Sequence, residues 1–155
     1  MLELPALLLH PPDARSCQAI LDAATGAPAG FSRPRAAGLW DRWLSGATLE
    51  VHEHVDESLL CVIRQGRFPR RRLVYDAEGR WVGAVFGRRL EDGCGRVVAV
   101  RGPNSGMRGD VFRDPDGRQA AILQPGKHGL ALAFTDACAA DPFARMLMLA
   151  AALHG

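Results

Sequence analysis

Asp141-Pro142-Phe143-Ala144-Arg145-Met146-Leu147-Met148-Leu149-Ala150-Ala151-Ala152-Leu153 is the stretch whose reading decides the fold. Asp141 offers a side-chain acceptor suited to a helix N-cap, and Pro142 has the fixed φ and missing amide that suit a first turn. From Phe143 to Leu153 there is no β-branched residue, and Arg145 is the one polar side chain. The run therefore predicts a helix over 142–153 that is apolar on nearly every face, which requires either a bilayer or a protein interior around it. At ~1.5 Å per residue it reaches about 18 Å, against the ~30 Å of a hydrocarbon slab, so it is too short to span. Its expected home is inside the protein. Arg145 must then reach a mouth of that interior or meet an acid, because an unpaired buried charge costs several kcal/mol.

Working outward from the helix, the chain reads as sheet. Asp76-Ala77-Glu78-Gly79 separates Leu73-Val74-Tyr75 from Trp81-Val82-Gly83-Ala84-Val85-Phe86, and Asp114-Pro115-Asp116-Gly117 separates Val111-Phe112-Arg113 from Gln119-Ala120-Ala121-Ile122-Leu123. Asp at the first position of a turn accepts from the amides ahead of it, and Gly at the fourth takes a positive φ. A copy looser by one residue is Asp22-Ala23-Ala24-Thr25-Gly26. Further apolar runs at 49–51, 59–63, 97–100 and 130–134 are divided by Asp92-Gly93-Cys94-Gly95, Gly102-Pro103-Asn104-Ser105-Gly106 and Pro125-Gly126-Lys127-His128-Gly129. Ten to twelve short strands are expected, and the unequal spacings exclude a fixed-period solenoid. Residues 36–44, with Trp40 and Trp43, fit a helical turn or a strand equally. Sheet wrapped round a helix ~10 Å wide calls for a closed or nearly closed barrel with more than eight strands. Such closure also removes exposed edges.

A chain of 155 residues, 48% hydrophobic and 23% charged, is expected to fold as one domain spanning 1–155, with a lead-in over 1–14 and the central helix over 142–153. A net charge of +2 creates no field over the whole surface, so an anionic partner would meet a local patch. Nucleic acid is not expected. Cys17, Cys61, Cys94 and Cys138 form no C-x-x-C pair and read as reduced thiols, and the opening Met1–His10 stretch, which has no basic leader, reads as a pairing strand or a short lead-in segment. A cytoplasmic protein without a transmembrane span is expected, peripheral at a membrane if its arginines engage lipid.

The order of these features, D-x-x-G hairpins, then Gly129-Leu130-Ala131-Leu132-Ala133-Phe134, then a hydrophobic helix opened by Asp141-Pro142-Phe143, resembles the tubby C-terminal-like superfamily. The phospholipid scramblase and LURP-one-related branch is the most similar. The resemblance runs from about Arg15 to Leu153 and implies a mainly β fold, an antiparallel barrel of about twelve strands around the terminal helix. Proteins of this kind bind phosphoinositides, are associated with calcium-dependent lipid movement, or have no assigned biochemistry. Thr135-Asp136-Ala137-Cys138-Ala139-Ala140 lacks the acidic calcium segment that scramblases carry before their helix, so no calcium ligands are carried over.

The densest charge feature is Arg64-Gln65-Gly66-Arg67-Phe68-Pro69-Arg70-Arg71-Arg72. Guanidinium forks suit phosphate, so Arg64, Arg67, Arg70, Arg71 and Arg72 are the candidate head-group ligands; the plainer reading is a solvated connection facing Glu50, Glu53, Asp56 and Glu57. His52 and His54 would share a strand face, and without a third ligand they read as a wet outer face rather than a metal site. Asp110, Asp114 and Asp116 lack the glutamate of a calcium loop, since Ala121 stands at its twelfth position. The glycine-rich 102–109 segment lacks the lysine and hydroxyl of a phosphate loop. No cofactor or metal is expected. The function expected from the sequence is a non-enzymatic domain binding an anionic phospholipid head group or a protein partner. Its rivals are a small-molecule-binding or hydrolytic barrel with chemistry at one mouth, through His52, His54 or His128, and a structural assembly module around Trp40 and Trp43. A bore filled by Phe143, Met146, Leu147 and Leu149 would leave little room for the former.

Overall fold

The computed structural model describes residues 1–35, 47–66, 71–106, 108–138 and 141–153. Among these, twelve strands follow in order: β1 (Ala6–Leu9), β2 (Gln18–Asp22), β3 (Pro28–Pro34), β4 (Thr48–Glu53), β5 (Leu59–Gln65), β6 (Arg71–Asp76), β7 (Trp81–Phe86), β8 (Arg89–Asp92), β9 (Val97–Pro103), β10 (Asp110–Arg113), β11 (Gln119–Gly126) and β12 (Gly129–Phe134). A short 3-10 turn, Asp136–Cys138, leads to the helix α1 (Pro142–Ala152). Every strand pairs antiparallel with its chain neighbours, and β1 pairs with β12, so the sheet closes into a barrel.

Period-two alternation decides which side chains enter the bore. Leu7 and Leu9 on β1, Val51 on β4, Cys61 and Ile63 on β5 and Val74 on β6 are nearly or fully buried and join one hydrophobic cluster. α1 runs through that cluster, buried at every position from Ala144 to Ala152. Asp141 caps it by accepting from the amides of Phe143 and Ala144 at 2.9 and 3.0 Å. The helix is enclosed as its composition requires. Leu147 and Leu149 are almost fully buried, so truncating either to alanine is worth about 2–5 kcal/mol.

The hairpin turns share one construction. At Asp76, Asp92 and Asp114 the carboxylate accepts from the amide four residues on, that of Arg80, Arg96 or Arg118, at 2.7–2.9 Å. The glycine between them donates back to the aspartate carbonyl with φ of 78–80°. The turn at Asp22, one residue longer, keeps the glycine bond, Gly26 donating to the Asp22 carbonyl, but there the carboxylate accepts from the Ala24 amide and the Thr25 hydroxyl.

Of the two readings of the opening stretch the pairing strand holds: Ala6–Leu9 is a strand, and it is the one that closes the barrel; without it β2 and β12 would be open edges. Three expectations change. Arg89–Asp92 is a strand that composition conceals, since Leu90 alone is buried there. Gly102-Pro103 belongs to β9 rather than to the following turn, because Pro103 ends the strand opposite Asp110 and needs no ladder donor. The helix stops at Ala152, with Leu153 as its cap. Trp40, Trp43 and the rest of 36–46 lie outside the described residues.

Candidate functional site

The topology sorts the connections onto two ends of the barrel. The β2–β3, β4–β5, β6–β7, β8–β9 and β10–β11 turns share one end with the start of α1, and the remaining connections share the other with its finish. Charge follows the same division. Asp56, Asp76, Asp92, Asp114, Asp136 and Asp141 lie at the helix-start end, together with the arginines that follow the repeated turns. Arg71, Arg72, Arg88, Arg101, Arg108 and Lys127 lie at the helix-finish end, where the acids among the described residues are Asp13, Asp110 and, paired with Arg33 and Arg35, Glu50. This arrangement complements the helix macrodipole, positive at its start and negative at its finish.

At the basic end Arg72, in phase with Val74, points inward and donates to the carbonyl of Ala150 at 3.4 Å. Arg101 pairs with Asp110 at 2.7 Å and donates to the carbonyl of Ala151 at 3.1 Å. These guanidinium groups serve the last carbonyls of α1, which have no partner within the helix. Burial, and then the nearby Arg101, push Arg72 below the usual arginine value. Arg71 is exposed and, with Arg72, Gln65, Val85 and Gly87, lines a pocket of about 300 Å³. Arg64 is not in it; its guanidinium stacks 4.9 Å from the Tyr75 ring centre on the outer wall. Arg67 and Arg70 lie outside the described residues.

The larger cavity, about 730 Å³, is at the opposite, acidic end. Val82, Val98, Leu147 and Met148 contribute its apolar wall, and Trp81 and Phe143 line it while remaining about half exposed. Phe143 therefore does not fill the bore. It sits on the first turn of α1, outside the ring of strands, and helps form a wall of the pocket it was expected to exclude. The indole nitrogen of Trp81 donates to the Gly83 carbonyl at 2.8 Å, which fixes the ring. Asp76, Asp92, Asp114 and Asp141 supply four carboxylates to the lining, and Arg80 and Arg96 two guanidinium groups.

Arg145 settles its charge on backbone carbonyls, with no acid paired to it among the described residues. It lies beside this mouth, donating to the carbonyls of Cys138, Leu2 and Leu4 at 3.2, 2.6 and 3.4 Å, with its guanidinium 4.8 Å from the Phe134 ring centre.

His52 and His54 do not form a pair. His52 is on the outer face, as its phase predicts, but it is buried: its ring stacks on Phe31 at 5.0 Å and its Nδ1 lies 2.9 Å from the Glu57 carbonyl. His54 lies beyond the end of β4, exposed, so strand spacing does not govern it. Among the described residues no group of three His, Cys, Asp or Glu side chains converges as a metal site would need, and no helix is long and apolar enough to cross a membrane. None of the described residues lining the large cavity is a histidine.

Reading the turns only as D-x-x-G missed their fifth residue. Asp76, Asp92 and Asp114 each open a D-x-x-G-R pentad, ending in Arg80, Arg96 and Arg118. Arg80 returns to Asp76 at 2.6 Å and Arg96 to Asp92 at 2.9 Å, so the repeat was the signal for the charged rim of the cavity. Comparison of the chain with protein-family models, with curated proteins and with solved structures finds no match.

Proposed function

We propose that this barrel is a binding module of the tubby-like kind, which holds an anionic phospholipid head group at the end of the barrel where α1 finishes. One observation carries the reading: cationic side chains are gathered at that end, round a small pocket that Arg71 lines, in a chain whose net charge is only +2. A local patch of this kind attracts an anionic surface within a Debye length, and guanidinium forks match phosphate oxygens. The role of Arg72 and Arg101 is separate. Both are held against the helix carbonyls, and Arg72 also lines the pocket, leaving Arg71, with Arg67 and Arg70 beside it in sequence, as the proposed phosphate contacts.

Vesicle flotation tests the proposal. The protein should float with phosphatidylcholine vesicles carrying a phosphoinositide and not with phosphatidylcholine alone, at low salt where such binding is strongest. Replacing Arg67, Arg70 and Arg71 together by glutamine should abolish the difference while leaving the circular dichroism spectrum unchanged. Equal flotation with neutral and anionic vesicles would remove the lipid reading.

A further inference from the structure

The three D-x-x-G-R turns are alike in backbone and unlike in charge. Arg80 donates to the carboxylates of both Asp76 and Glu78, at 2.6 and 2.8 Å, and Arg96 donates to Asp92 at 2.9 Å. Asp141 is engaged by two amides at the positive start of α1. Asp114 differs. Its carboxylate accepts from the Arg118 amide, and among the described residues no cation lies within ion-pair distance of it.

That unbalanced carboxylate lines the same cavity of about 730 Å³ as Trp81 and Phe143, whose rings are 51% and 50% exposed. The four aspartates and two arginines of the lining leave it a formal charge of −2. Its volume falls within the ~300–1,000 Å³ of small-molecule sites. Two half-exposed aromatic residues and an uncompensated carboxylate in one cavity form the combination that recognises an organic cation, since ring faces and carboxylate attract the same charge. Val97 and Val98, only partly buried in the same lining, suit an apolar body.

We propose that this mouth binds a small amphipathic organic cation, an ammonium group on a hydrocarbon body. The ammonium lies between Asp114 and the Trp81 ring, and the hydrocarbon lies against Val97, Val98 and the Phe143 ring. This site is at the opposite end of the barrel from the arginine pocket, and the two proposals stand or fall separately.

Isothermal titration calorimetry with octyltrimethylammonium, octanol and octanoate, each well below its micelle concentration, tests this. The cation should bind saturably and at least about tenfold more tightly than octanol, which shares the tail without the charge. Octanoate should bind more weakly still, and added salt should weaken only the cation. Asp114→Asn keeps the oxygen that accepts from the Arg118 amide, so the turn survives, and affinity for the cation should fall about fivefold with that for octanol unchanged. Trp81→Leu, which keeps the wall apolar, should have the same selective effect. Absence of saturable binding, octanol or octanoate binding as well as the cation, or an unaltered cation affinity in Asp114→Asn would each overturn the proposal.

Discussion

The guanidinium of Arg145 donates from Nη1 to the carbonyl oxygen of Leu2 at 2.6 Å, tying the helix in the bore to the segment that precedes the first strand. Two further backbone carbonyls, of Cys138 and Leu4, accept from the same side chain, and Phe134 covers it. A cation satisfied by carbonyl oxygens needs a wide, planar set of donors, which lysine lacks. Arg145→Met should therefore lower unfolding free energy by about 2–4 kcal/mol, because two buried acceptors and one part-buried one lose their donor while the hydrocarbon volume is roughly kept. Arg145→Lys should recover less than half of that. Urea denaturation of the three proteins measures it, and full recovery by lysine would show that charge alone suffices.

Acid should weaken the barrel through its turns. The amides of Arg96 and Cys94, with the Arg96 guanidinium, hold Asp92 below its ordinary value of 3.8. Burial opposes the same shift at Asp76, but the amide and guanidinium of Arg80 outweigh it. A carboxylate with a lowered folded-state value stabilises the fold fully above its unfolded value, and that contribution is lost as pH falls below 3.8 through the depressed value. Urea midpoints should thus be level down to about pH 5 and decline steeply between pH 4 and pH 3. Asp92→Asn preserves an oxygen acceptor but cannot titrate, so it should be less stable at pH 7 and show a shallower acid decline. An identical slope in wild type and variant would place the acid sensitivity elsewhere.

The four thiols should react in an order set by position on the barrel. Cys94 is exposed on the β8–β9 turn, Cys17 is partly covered, and Cys61 and Cys138 are buried. Burial pushes the Cys61 thiol up to about 12 and raises Cys138 as well, so neither supplies thiolate near neutrality. Iodoacetamide at pH 8 should modify Cys94 first and Cys17 more slowly, with Cys61 and Cys138 reacting only in denaturant, as mapped by peptide mass spectrometry. Modification of Cys138 at the rate of Cys94 would mean that the acidic mouth opens readily, since Cys138 forms part of the cavity wall.

What could be read from the sequence was whatever local chemistry determines. Asp141 and Pro142 announce a helix start by the bonds they can and cannot make, and Asp76, Gly79, Asp114 and Gly117 announce turns in the same way. The phase of Arg72 was also readable, because counting back by two from the apolar Val74 puts it inside, while Arg71 falls outside. Partners distant in sequence were not readable. A pairing strand was one reading of the opening stretch, but nothing local says that Ala6–Leu9 pairs with β12, more than a hundred residues later; Arg89–Asp92 becomes a strand because its neighbours need closure across a gap that Leu90 alone would not reveal. Phe143 lines a cavity because the helix begins at the rim, a distance no helical periodicity encodes. The charge division between the ends needs the connectivity of the whole barrel, though the repeated D-x-x-G-R pentad was a legible hint of it.

The closing seam gives the sharpest test of the architecture. Gly129 opens β12 directly beside β1, and a Cβ there would run into the carbonyl oxygen and carbon of Leu9 and the Cα of His10. All three are backbone atoms of the facing strand and its extension, so no side-chain rotation relieves the clash. Gly95 has a positive φ of 78° on an open turn, where an added Cβ meets nothing within 4 Å. Gly95→Ala should therefore cost about 1–2 kcal/mol, the strain of a left-handed residue alone. Gly129→Ala should cost about 3 kcal/mol and also part β1 from β12, exposing two strand edges. Amide hydrogen exchange at Leu7, Leu9, Leu130 and Leu132 should then accelerate ahead of exchange in β6 and β7, and light scattering should detect self-association that Gly95→Ala does not show. If the two variants lose the same stability and keep the same exchange pattern, the barrel does not close between β1 and β12 as the register requires.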